Sequence, residues 1–186
     1  MKCKSSFFRL IPVFLFISVL VSCGSGRLDG IYTGTVGNDT VAVVFFGEKV
    51  FLDAFYNYNS RVDAGNIDTD SSVLYIENDI FPYTLRGNTL TLDYNGETVV
   101  FTKDTRNKAS AAINGIWSDN NEWSFAFTGD KIYIIDEDGD ASSGTFIFDK
   151  NEGTINSHWY DVDFTVSGNT LTAELWGNNL VLTRKP

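Results

Sequence analysis

The sequence predicts an all-β protein made of two tandem small antiparallel up-and-down β-barrels, with about seven or eight short strands in each. Three observations lead there. Runs rich in Val, Ile, Phe, Tyr and Thr are broken by Gly, Asn and Asp about every 8 to 12 residues, the spacing of a β meander. Gly87-Asn88-Thr89-Leu90-Thr91 returns as Gly168-Asn169-Thr170-Leu171-Thr172, 81 positions later. After Cys23, no window carries the i, i+3, i+4 apolar spacing of a helix.

The chain opens with the basic residues Lys2, Lys4 and Arg9, continues through the apolar run Leu10 to Val21 and reaches small Ser22, the layout of a secretory signal peptide. That run is 12 residues long and contains Pro12, short of the roughly 20 residues a spanning helix needs. Leu20-Val21-Ser22-Cys23 resembles the lipobox of bacterial lipoproteins, which implies cleavage before Cys23 and acylation of its thiol. Two or more acyl chains anchor a protein stably, so the resemblance implies a membrane partner reached through Cys23. Gly24, where Asp would retain such proteins at an inner membrane, implies an envelope location at the outer membrane where the host has one.

The expected organisation is a signal peptide over 1–22, a lipidated tether over 23–27, a first β repeat over 28–104, a linker over 105–112 and a second repeat over 113–186. The repeat extends beyond the Gly-Asn-Thr-Leu motif. Leu28-Asp29-Gly30-Ile31-Tyr32 corresponds to Ile113-Asn114-Gly115-Ile116-Trp117, and Gly47-Glu48-Lys49-Val50-Phe51-Leu52 corresponds to Gly129-Asp130-Lys131-Ile132-Tyr133-Ile134. The offset drifts between about 79 and 85, as insertions in hairpin loops would make it. One larger sheet or barrel formed by both repeats is the alternative.

Strand periodicity supports each unit. Val162, Phe164 and Val166 alternate with Asp161, Asp163 and Thr165 before the turn at Gly168-Asn169, and Gly87-Asn88 turns the first copy. Trp123, Phe125 and Phe127 alternate with polar or small residues, which puts three aromatics on one face.

Composition limits the function classes. Removing residues 1–22 takes away three bases and no acids, so Lys+Arg falls from 14 to 11 against 24 Asp+Glu, a net charge near −13. Such a chain repels nucleic acid and anionic headgroups. Cys3 leaves with the signal and Cys23 is acylated, so no thiol remains for a disulfide and the fold must rest on its apolar core. With 43% hydrophobic and 15% aromatic residues, that core is attainable.

The order Gly-x-Trp/Tyr, then Phe-x-Gly-Asp/Glu-Lys, then Tyr/Phe-Thr-Leu/Val-x-Gly-Asn-Thr-Leu-Thr, and a final Leu/Phe-Thr-Arg/Lys resembles the small lipocalin-like domains of bacterial lipoproteins, here in tandem duplicate. The resemblance covers nearly all of both units. It implies barrels in which Tyr32 and Trp117 close one end.

Candidate chemistry is sparse. His158, the single histidine, follows Ser157, but strand neighbours face opposite ways and no Gly-x-Ser-x-Gly turn is present, so a surface histidine is expected. Asp136-Glu137-Asp138-Gly139-Asp140 departs from a calcium loop in the position of its glycine and in Ile147 at the twelfth place, and reads as an acidic hairpin turn. No metal or cofactor is expected. All four tryptophans, Trp117, Trp123, Trp159 and Trp176, fall in the second repeat and are its candidate ligand-binding residues, with core packing as the competing role. In the first repeat the alternation of Tyr and Asn in Phe55-Tyr56-Asn57-Tyr58-Asn59 suits an exposed adhesive loop as well as a strand end. The expected function is a monomeric, non-catalytic binding or interaction module tethered in the cell envelope. The alternatives are a carrier of a small hydrophobic ligand and an inhibitor of an envelope-targeting protease or lysozyme.

Overall fold

A computed structural model describes residues 28–94, 96–105, 110–119 and 123–186. Cys23 and its tether lie outside the described residues, as does part of the 105–112 linker. Among the described residues there is no helix. The strands are β1 (Asp29–Val36), β2 (Asp39–Phe46), β3 (Lys49–Asp53), β4 (Arg61–Asp68), β5 (Val73–Ile76), β6 (Asp79–Arg86), β7 (Thr89–Tyr94) and β8 (Glu97–Lys103), then β9 (Gly115–Ser118), β10 (Ser124–Thr128), β11 (Lys131–Ile135), β12 (Ala141–Asp149), β13 (Glu152–Ser157), β14 (Asp161–Ser167), β15 (Thr170–Leu175) and β16 (Asn178–Arg184).

Strands β9–β16 close into an eight-stranded antiparallel barrel: each pairs with its sequence neighbour, and β16 returns to β9 through Thr183↔Ser118 and Arg184↔Trp117. The other eight strands lie outside that barrel and pair antiparallel in sequence order, with β8 meeting β1 at Tyr32↔Lys103 and Thr33↔Thr102. A short pairing of β12 with β4, Ala141↔Val62 and Ser142↔Arg61, joins all sixteen into one hydrogen-bonded sheet. The continuous sheet of the sequence-based alternative and a closed barrel therefore coexist.

The repeated Gly-Asn motif owes its place to backbone geometry. Gly87 and Gly168 adopt φ of +60° and +61°, where L side chains are strained, and each starts the two-residue turn that sets the register Arg86↔Thr89 or Ser167↔Thr170.

Three apolar clusters organise the molecule. One fills the N-terminal unit around Val43, Phe45, Leu74, Leu90 and Phe101, and one fills the C-terminal barrel around Trp117, Phe125, Phe127, Ile155, Phe164 and Leu182. The third lies between them: Ile31, Ala42, Val44, Phe46 and Phe51 pack against Ala126, Tyr133 and Ala141. This explains the unbroken apolar run Val41-Ala42-Val43-Val44-Phe45-Phe46. Alternate side chains of β2 enter the unit's own core and the seam, so the strand is covered on both faces.

Each unit has one end closed by the repeated Gly-x-aromatic motif. Lys103 Nζ lies 5.6 Å from the Tyr32 ring centroid, and Arg184 Cζ lies 4.9 Å from that of Trp117. Trp117 is fully buried and its Nε1 donates to Ile113 O at 2.8 Å. Gly30 is required beside this stack, because a Cβ there would lie 3.1 Å from Lys103 Cε and its φ is +101°.

The opposite end of each unit is its mouth, formed by the turns after β1, β3, β5 and β7 or after β9, β11, β13 and β15. Strands β4 and β12 both start at a mouth and pair antiparallel, so the two mouths point in opposite directions. The mouth of the C-terminal barrel therefore sits beside the closed end of the N-terminal unit, where Phe46 to Lys49 share a groove with Asp136, Glu137 and Gly139.

Candidate functional site: two mouths and the seam

Strand pairing shows which residues correspond in the two units. Tyr32 faces Val43, and Trp117 faces Phe125; Val43 faces Leu52, and Phe125 faces Ile134. Moving two residues along each strand toward the mouth, Val41 corresponds to Trp123 and Ala54 to Asp136. These two exchanges divide the mouths into one that is open and one that is filled.

In the N-terminal unit, Val36, Val41, Leu52, Ile76, Leu92 and Phe101 surround a cavity of about 180 Å³, with Ala54, Phe55 and Asp39 at its margin. Its wall is almost wholly aliphatic and aromatic, so it suits an apolar guest and offers little to hold water. Phe55, which lines it, is 52% exposed, and Tyr58, further along the same loop between β3 and β4, is 70% exposed. This loop is pinned at its base, where Phe55 N–H donates to Asp53 Oδ1 at 3.1 Å and Tyr56 N–H to Thr40 O at 3.1 Å.

In the C-terminal barrel the same position holds a plug. Trp123 is 6% exposed, with ring centroids 5.5 Å from Tyr160, 6.2 Å from Phe125 and 6.4 Å from Trp176. Tyr160 lies 5.7 Å from Trp176 and 6.3 Å from Trp159, mostly edge to face. The Tyr160 hydroxyl donates to Asp136 Oδ2 at 2.8 Å, while Asp136 Oδ1 accepts the N–H groups of Asp138 and Asp140. Burial, followed by this hydrogen bond to a carboxylate, pushes the Tyr160 phenol well above its ordinary range.

The four sequence-predicted tryptophans thus part company. Trp123, Trp159 and Trp176 gather around Tyr160 at the mouth, whereas Trp117 is sealed at the other end. Asp136, seen in sequence as part of an acidic turn, organises that turn through its own carboxylate. Among the described residues no group of three or more His, Cys, Asp or Glu side chains is placed to hold a metal ion. His158 is exposed, its ring 5.5 Å from that of Trp159, and the Ser157 hydroxyl is engaged with the backbone of Tyr160 at 2.9 and 3.0 Å.

Compared with known proteins, the chain matches no family model, no curated protein and no solved structure.

The seam carries a polar site that the sequence did not signal. Asp53 is fully buried and accepts hydrogen bonds from Phe55 N–H, from the Ser60 hydroxyl at 3.3 Å and from the Tyr133 hydroxyl at 3.3 Å. Lys131, from the other unit, donates to Tyr58 O at 3.1 Å and lies over the Tyr56 ring at 5.3 Å. Desolvation raises the Asp53 carboxyl above the usual range, with Lys131 and the hydrogen bonds opposing it. Desolvation likewise lowers Lys131 and, at Tyr133, drives the phenol far upward. Lys131 and Tyr133 lie 78 and 80 positions from Asp53 in the chain, so only the docking of the two units brings them together.

Proposed function

We propose that this chain is a non-catalytic binding module of the cell envelope, built from two lipocalin-like barrels and tethered by lipid on Cys23, and that its N-terminal unit accepts a small hydrophobic ligand. The observation that carries this reading is the apolar cavity of about 180 Å³ in a mouth whose counterpart is plugged. The size bounds the guest. An engineered cavity of about 150 Å³ takes up benzene, so this one accommodates a molecule of that order or the apolar end of a longer one.

The energy bounds the affinity. At about 24 cal/mol per Å³ of unfilled volume, the cavity represents roughly 4 kcal/mol of packing that a fitting guest restores. Alone, that corresponds to a Kd near 1 mM, so tighter binding needs additional contacts along the rim. Phe55 stands where those contacts would form.

The test is thermal shift of the chain from residue 23 onward against small aromatic and short acyl compounds at millimolar concentration, with native mass spectrometry for co-purified molecules. A guest that binds only the folded state raises the melting temperature by mass action. Absence of any shift across the panel, together with Val41→Phe leaving stability and ligand response unchanged, would overturn the cavity reading. Capture of an envelope protein whose binding is lost on Tyr58→Ser would favour the interaction-module form of the proposal, with the exposed loop as its contact.

A further inference from the structure

The plugged mouth has an unusual rim. Trp176 is 74% exposed and Trp159 is 39% exposed, each in a different mouth turn and each in ring contact with Tyr160. Trp176 also adopts φ of +50° and is followed by Gly177 at +79°. A turn of two positive φ angles ordinarily takes Asn, Asp or Gly at its first position, and a bulky residue there is strained. Core packing does not account for this arrangement, because the ring that bears the strain is the one left in solvent.

The direction in which this rim faces follows from the topology. The described chain begins at Leu28, whose neighbour Asp29 pairs with Phe46 at the closed end of the N-terminal unit. Phe46 to Lys49 share a groove with Asp136, Glu137 and Gly139 of the C-terminal mouth, and Asp136 is bonded to Tyr160. The start of the folded chain and the tryptophan rim therefore occupy the same end of the molecule. Four residues, 24–27, separate Leu28 from the membrane anchor expected at Cys23, a reach of at most about 17 Å over the five steps between them.

We infer that Trp159 and Trp176 dock into the interfacial zone of the same bilayer that holds the lipid on Cys23, which orients the open N-terminal mouth away from the membrane. Tryptophan is the side chain best suited to that zone, since its ring is apolar and its N–H remains hydrogen-bonded. Glu137, Asp138 and Asp140 border the rim, so the favoured surface is zwitterionic rather than anionic. The inference rests on the lipid anchor proposed above.

The purified lipidated protein, reconstituted in phosphatidylcholine vesicles containing brominated lipid, tests it. Trp117 and Trp123 are buried, so bromine quenching of fluorescence reports Trp159 and Trp176. Quenching is expected, it should weaken when phosphatidylglycerol is added, and it should be lost in Trp159→Ala/Trp176→Asn. Asn at 176 suits the positive φ, and an unchanged melting temperature confirms that the variant folds. Co-sedimentation with vesicles but no quenching overturns the docking and leaves the anchor standing. Quenching of unacylated protein supports the docking and shows that it does not depend on the anchor. Quenching that persists in the double variant overturns the docking.

Discussion

Trp123→Val should convert the plugged mouth of the C-terminal barrel into a copy of the open one, since Val41 occupies the matching place in the N-terminal unit. Trp123 is 6% exposed and packs against Phe125, Tyr160 and Trp176. Trp→Ala at a buried site costs about 3–5 kcal/mol, and Val keeps part of the volume, so a loss of about 3 kcal/mol is expected. For a folded region of this size that lowers Tm by roughly 6–12 °C. Urea denaturation with an unchanged m-value would show the loss to be one of packing rather than of compactness. A small aromatic probe at millimolar concentration should then bind at two sites per chain instead of one, and calorimetric titration counts them. A stability loss below about 1 kcal/mol with no second site would refute the argument that this residue decides which mouth is filled.

Four further outcomes follow from the seam, the buried tyrosines and the anchor. Phe51→Ala removes a ring that is 2% exposed and packed, tilted by 31°, at 5.2 Å against Tyr133, and should cost about 3–5 kcal/mol; denaturation followed separately through fluorescence and circular dichroism checks whether the units then melt apart. Because the folded Asp53 carboxyl is raised, the native state binds more protons than the unfolded one as pH rises from the ordinary Asp value to the folded one, so stability falls across that window; melting curves of Asp53→Asn should lack this fall. Above about pH 10 the raised Tyr32, Tyr83, Tyr133 and Tyr160 stay protonated in the fold while the unfolded chain ionises, so stability should drop with further alkalinity in the same melting series. Cys23→Ala should abolish metabolic acyl labelling, and labelling that persists would remove Cys23 as the anchor.

The all-β class, the absence of helices in the described residues and the turn positions were legible in the sequence because they are local. Alternating side chains and positive-φ Gly-Asn turns act over a few residues, and the 81-position echo of Gly87-Asn88 at Gly168-Asn169 exposed the duplication directly. The tryptophans were legible as a group, but their separate fates were not. Trp117 and Trp123 have similar local contexts, and only strand register puts one under Arg184 and the other at the mouth.

The remainder was decided by tertiary structure. A cavity is a difference between volumes contributed by many strands, so the exchange of Trp123 for Val41 acquires meaning only once pairing makes the two positions equivalent. The seam is equally non-local: Asp53, Ser60, Lys131 and Tyr133 are unremarkable in the sequence, and their perturbed ionisation arises from burial that exists only when β2 and β3 meet β10 and β11. The sequence by itself determined strands, turns and the expected acylated Cys23, because short-range sterics and a contiguous motif encode them. Which mouth is open was decided by packing at the paired positions Val41 and Trp123, and the side toward which it faces by the antiparallel meeting of β4 with β12, a contact between residues some 80 positions apart.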